Sequence, residues 1–62
     1  MPTKVLVVDD ETRLRSLLAR LLRLEDYEVL EAENIQSGLA MLRQHTDVKV
    51  VLLDVRLPDG NG

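Results

Sequence analysis

Val50-Val51-Leu52-Leu53-Asp54-Val55-Arg56-Leu57-Pro58-Asp59-Gly60-Asn61-Gly62 is the stretch on which the fold turns. An apolar run ends in one carboxylate, and a Pro/Gly-rich turn comes directly after it. A short apolar run bounded by turn signals suits a strand buried on both faces. Asp54 then lies at the carboxyl end of that strand, where open α/β sheets bind ligands. Near the other terminus, Val5-Leu6-Val7-Val8-Asp9-Asp10 repeats the arrangement. Two apolar strands therefore deliver three carboxylates, Asp9, Asp10 and Asp54, to one edge of a sheet.

Between these strands the pattern alternates. Lys4–Val8 reads as the first strand. Leu14, Leu17, Leu18, Leu21 and Leu22 recur at helical spacing, with Arg13, Arg15, Arg20 and Arg23 among them. This predicts an amphipathic helix from about Glu11 to Leu24, with the arginines on its solvated face. Asp10, Glu11 and Thr12 offer acceptors to its first amides. Glu25-Asp26 ends it, because Asp tolerates the left-handed turn conformation. Tyr27–Ala32 reads as a shorter edge strand. Asn34 is the expected N-cap of a second helix, with Ile35, Gly38, Leu39 and Leu42 in one stripe. Gly38 costs about 1 kcal/mol relative to Ala in a helix, which points to a close approach between helix and sheet. His45, Thr46 and Asp47 close that helix, and His45 reads as structural or solvated. Val48–Leu53 is the third strand. The order strand–helix–strand–helix–strand, with right-handed crossovers, gives a three-stranded parallel α/β sheet. Whether the helices share one face stays open at this point.

Composition narrows the function. The chain has 62 residues, a formal charge of −3 and 45% hydrophobic residues, which fits one soluble globular unit. A chain of this size buries a modest share of its surface and is usually marginally stable. With no cysteine, disulfides and thiolate metal sites are excluded, and a reducing, cytoplasmic setting is expected. No apolar run approaches the roughly 20 residues of a membrane span. Met1-Pro2-Thr3-Lys4 carries no signal-peptide pattern. Mild acidity, with one Tyr and no Phe or Trp, argues against nucleic-acid binding by this segment.

The acidic cluster needs a physical reason. Carboxylates gathered at one sheet edge repel and lose hydration unless a cation compensates. Hard oxygen donors without His or Cys suit Mg²⁺, which is typically held by one or two carboxylates and a phosphoryl oxygen. Taken singly, Asp9-Asp10 reads as a helix cap and Asp54 as turn chemistry. Their joint placement after two apolar strands favours a phosphate-handling pocket.

These residues resemble the receiver domain of bacterial two-component response regulators. The resemblance rests on Val5-Leu6-Val7-Val8-Asp9-Asp10-Glu11, Tyr27-Glu28-Val29, and Asp54 with Pro58 and Gly62 at Asp-x-x-x-Pro-x-x-x-Gly spacing. It covers all 62 residues, and the wording of the last segment is similar to nitrogen-regulation-type transcriptional activators. It implies a truncated flavodoxin-like fold with strand order 2-1-3, and Asp54 as phosphoacceptor. It also implies Mg²⁺ held by Asp9, Asp10, Asp54 and the backbone carbonyl of Arg56. A sensor histidine kinase would be the phosphodonor, making the chain a signalling module and not an enzyme.

The family's receiver has five strands and five helices, so residues 1–62 correspond to its first half, without the fourth strand or any later element. The family's switch Ser/Thr and its Lys have no counterpart here, which removes one cation from the transition state. The third strand, central in the family, becomes an edge, and self-pairing through Val48–Leu53 into a homodimer is expected. A non-signalling fragment that folds by dimerising is the competing reading. A haloacid-dehalogenase-type phosphohydrolase is disfavoured, since Asp9 is succeeded by Asp10 and Glu11 and not by Asp at the second position.

Overall fold

The computed structural model describes residues 2–54. Five elements run in order: β1 (Lys4–Asp9), α1 (Thr12–Leu24), β2 (Glu28–Ala32), α2 (Ile35–Gln44) and β3 (Val48–Asp54). The three strands form one parallel sheet in the order β2-β1-β3. The expected topology is thus present. Observed bounds differ by a residue at some ends: β2 begins at Glu28, and β1 and β3 each run through their terminal aspartate.

Strand alternation sorts the core into two layers. Val5, Val7 and Val29 pack with Ala19, Leu18 and Leu22 of α1. Leu6, Val8 and Ala32 pack on the other side with Met41 and Leu42 of α2. The helices therefore lie on opposite faces, which resolves the alternative that the sequence left open. β1, apolar on both faces, is the fully buried strand.

The helix ends are built by specific residues. α1 closes with Asp26 N–H donating to Arg23 O at 3.0 Å and Tyr27 N–H to Leu22 O at 3.1 Å. This pair of bonds is the Schellman arrangement, which requires a left-handed residue after the cap. Asp26 fills that position at φ 69°. α2 begins with a capping box: Asn34 Oδ1 accepts from Ser37 N–H at 2.8 Å, and Ser37 Oγ accepts from Asn34 N–H at 3.4 Å.

Gly38 sits where α2 crosses the sheet. A Cβ there would lie 3.0 Å from Val8 Cγ2 and 3.8 Å from Ala32 Cβ. The glycine is the closest-approach point that its cost inside a helix implied.

Two expectations change. The start of α1 is not capped by Asp10, Glu11 or Thr12, and Glu11 at the N-cap makes no side-chain cap hydrogen bond. The arginines of α1 are not uniformly solvated either. Arg15 and Arg23 reach over β2 to Glu31, at 3.3 and 3.5 Å. Arg15 keeps its guanidinium on polar partners, the Glu31 carboxylate and the Asp9 carbonyl.

At the amino ends of the strands, Lys4 Nζ bridges Asp47 at 2.9 Å and Glu28 at 3.4 Å, joining the ends of all three. The register between β1 and β3 slips just beyond Lys4, which faces Val48 while Val5 faces Val50. Lys49 is the extra residue of that bulge.

Candidate functional site

The winding of the sheet locates the site. From β1 the chain crosses by α1 to β2 on one side, then by α2 over the opposite face to β3 on the other. The order thus reverses between β1 and β3. Ligands of doubly wound sheets bind in the crevice outside the carboxyl ends of the strands at such a point. Asp9 ends β1, Asp54 ends β3, and the two are register partners. Neighbouring strands stand about 4.8 Å apart, and register partners share a face. The sequence therefore brings these two carboxylates side by side through sheet pairing alone.

Asp9 is 1% exposed, the one charged residue in the core among those described. Its Oδ1 accepts the Glu11 N–H at 2.8 Å, which folds the β1–α1 connection back over the strand end. Its Oδ2 is buried without a hydrogen-bond partner. A buried carboxylate oxygen left unpaired is costly, and a bound cation is one way to satisfy it. The Asp9 backbone is held as well: Arg15 Nη1 donates to its carbonyl at 2.9 Å, while Arg15 Nε bonds Glu31 Oε1 at 3.3 Å. Arg23 Nη2 adds a bond to Val29 O at 3.2 Å. α1 is thereby tied to the strand end that carries Asp9. Sequence periodicity did not single out Arg15, because its partners lie on another strand.

Asp10 comes next in the connection and is exposed, as Asp54 is. Arg56, whose carbonyl was expected to be a ligand, and the Pro58–Gly62 turn lie outside the described residues. Among the described residues, no group of three or more His, Asp or Glu side chains is arranged to hold a metal ion. The described donors fit a hard cation in kind: carboxylate oxygens, one of them buried and unpaired. His45 stands at the far end of the sheet from these aspartates, as the C-cap of α2, where its N–H donates to Met41 O at 2.8 Å. That placement matches its structural reading.

A doubly wound, flavodoxin-like half-sheet with paired aspartates at its switch point defines a class of acidic-pocket α/β modules. Within that class the chain belongs to the response regulator receiver domain family, whose family model matches residues 5–62. It is 44% identical over 59 residues to the transcriptional regulatory protein CpxR of Klebsiella pneumoniae, covering 95% of this chain and 25% of that protein. It is 44% identical over 61 residues to the transcriptional regulatory protein ResD of Bacillus subtilis, covering 97% and 25%. It is 37% identical over 62 residues to the transcriptional regulatory protein SrrA of Staphylococcus aureus, covering 100% and 25%. The chain thus spans about a quarter of the length of these relatives. No solved structure matches it significantly. Among the described residues, no helix is long and apolar enough to cross a membrane.

Proposed function

We propose that this chain is the phosphoacceptor half of a receiver module in a cytoplasmic phosphorelay, with Asp54 receiving the phosphoryl group. The observation that carries the reading is the pairing of Asp9 and Asp54 at the switch point, with Asp9 Oδ2 buried and unpaired. In this reading Asp9 and Asp10, with Asp54 and the Arg56 carbonyl, hold Mg²⁺, which when bound offsets negative charge on the transferring group. One Asp54 carboxylate oxygen attacks phosphorus as the bond to the donor breaks, and the donor leaves with the electron pair. The product is an acyl phosphate on Asp54, which water hydrolyses back to the carboxylate and inorganic phosphate. The donor in the cell is the phosphohistidine of a sensor kinase.

Asp9 and Arg15 have positioning roles. The Glu11 N–H fixes one oxygen of Asp9 and leaves the other free. Arg15 holds the Asp9 carbonyl and so fixes the backbone from which the carboxylate extends.

The test is intact-mass detection of one added phosphoryl group after incubation with acetyl phosphate and Mg²⁺. Wild type should gain it, Asp54→Asn should not, and Asp9→Asn should lose the Mg²⁺ dependence. Labelling of Asp54→Asn equal to wild type would exclude Asp54 as acceptor.

A further inference from the structure

Glu31 is an unexpected residue for its place on β2. Its register partner is Val7, so it stands on the α1 face of the sheet, where Val5, Val7, Val29 and Ala19 are buried and apolar. Glutamate is depleted in strands, and an apolar side chain at this position would extend the Val29 layer. What the carboxylate meets instead is two arginines of α1. Oε1 lies 3.3 Å from Arg15 Nε, and Oε2 lies 3.5 Å from Arg23 Nη2.

The two contacts differ in kind. Arg23 is half-exposed, and its pairing with Glu31 is a solvated one of little energetic weight. Arg23 also ties α1 to β2 without Glu31, through its bond to the Val29 carbonyl. The Arg15 side chain, by contrast, is 14% exposed, and its Nη1 holds the Asp9 carbonyl at 2.9 Å. A guanidinium is a rigid planar fork, so seating Nε on Glu31 sets the direction in which Nη1 points. A continuous line therefore runs from Glu31 on β2, through Arg15 on α1, to the end of β1. That end is where Asp9 Oδ2 is buried and unpaired.

We propose that Glu31 is a positioning residue of the cation pocket. It orients Arg15, and Arg15 fixes the backbone from which the Asp9 carboxylate extends. The inference rests on the Mg²⁺-binding reading above and adds to it a residue of β2, a strand that carries none of the proposed ligands. Groups one step removed from a metal alter its affinity by about 10- to 100-fold when replaced.

The test is the Mg²⁺ dissociation constant from amide NMR titrations without a phosphodonor, with thermal circular dichroism of each metal-free protein alongside. Glu31→Gln keeps the side-chain shape and should weaken Mg²⁺ binding about tenfold. Arg15→Met should do the same, and the double variant should be no weaker than Arg15→Met, since Glu31 acts only through Arg15. Charge alone predicts the opposite sign for Arg15→Met, because removing a cation beside the pocket favours Mg²⁺. Glu33→Gln, at an exposed residue just beyond β2, removes the same charge and should change affinity less than about twofold. Wild-type affinity in Glu31→Gln overturns the proposal, as does equal weakening by Glu33→Gln, additive effects in the double variant, or tighter binding by Arg15→Met. A Glu31→Gln protein that unfolds, or that loses stability alone, makes Glu31 structural and overturns it too. If Arg15→Met does not fold, the comparison of Glu31→Gln with Glu33→Gln decides. The pocket reading fails separately: wild type that binds no Mg²⁺, or binds it equally well as Asp9→Asn, removes the pocket and this role together. Binding abolished by Asp9→Asn but intact in Glu31→Gln removes the positioning role only.

Discussion

Replacing Gly38 by Ala sets two opposed effects against each other, and the structure gives the size of each. Ala favours the helical backbone over Gly by about 1 kcal/mol. The new Cβ would stand 3.0 Å from Val8 Cγ2, inside normal van der Waals contact. Val8 cannot yield easily: it is buried, its χ1 is stiff, and it is hemmed by its register partners Ala32 and Leu53. Overpacking of this kind costs about 1–3 kcal/mol, so the net change should be destabilising by up to about 2 kcal/mol. For a domain of this size each kcal/mol lowers Tm by about 4–8 °C. In a Val8→Ala background the clashing methyl is gone, and the same Gly38→Ala change should stabilise by about 1 kcal/mol. The sign inversion is the diagnostic result, read from thermal circular dichroism of the four proteins at one fixed concentration. If Gly38→Ala stabilised wild type, or cost the same in both backgrounds, the close approach of α2 to β1 would not be what demands glycine.

Asn34→Ala removes the acceptor of the capping box and should cost about 1 kcal/mol, seen as a lower urea midpoint with an unchanged slope. Lys4 and Asp47 give a pH signature. The hydrogen bond from Lys4 holds the Asp47 carboxyl below its usual 3.8, and the same bond raises the Lys4 ammonium above 10.5. Their stabilisation is therefore complete between these values, lost as pH falls below 3.8 through the depressed Asp47 value, and lost above 10.5 as Lys4 deprotonates. The stability gap between wild type and Asp47→Asn should accordingly be flat at neutral pH and close in acid. A gap that stayed open at low pH would remove the ion pair as its cause. Millimolar Mg²⁺ should raise Tm of wild type by binding the folded state, and should leave Tm of Asp9→Asn unchanged. Equal shifts in both proteins would show that Asp9 is not part of the cation site.

The elements of the fold were legible because each is marked by a residue with a narrow physical use. Asp26 takes the positive φ, Asn34 caps α2, and Gly38 permits the close crossing; each does the job its sequence context suggested. Burial within the stripes was less legible. Ala19 is fully buried while Leu17 and Leu21 are half-exposed, the reverse of their hydrophobicity. A helical stripe says which flank is apolar; how much is covered depends on the width of the sheet beneath. Among the described residues nothing covers Leu17 and Leu21, and the Ile35–Leu39 side of α2 borders an open groove over β1 and β3. The roles of Arg15 and Arg23 were hidden for a related reason: their partner Glu31 is on β2, and spacing along one helix says nothing of that distance.

The site shows the same division between what a local pattern carries and what pairing adds. Strand-end position was enough to gather Asp9 and Asp54 at one edge, because parallel strands align their carboxyl ends. The dipeptide Asp9-Asp10 gave no way to tell its two members apart, yet they have opposite environments. Asp9 closes β1 on the face of Val5 and Val7 and is buried beneath the start of α1, with one oxygen held by the Glu11 N–H. Asp10, one residue later, falls outside the strand and stays in solvent. The acidic residues expected to cap α1 make no such bond, and Asp9, a strand residue, instead holds the Glu11 N–H just ahead of the helix while its other oxygen is left unpaired. A carboxylate that only capped the connection would gain from full hydrogen bonding. Retaining an unpaired buried oxygen costs stability, and a pocket that binds a cation there recovers it on binding. Asp9 should therefore be the position where pocket function and fold stability oppose each other: Asp9→Asn stabilises the metal-free protein or leaves it unchanged, while abolishing the gain from Mg²⁺.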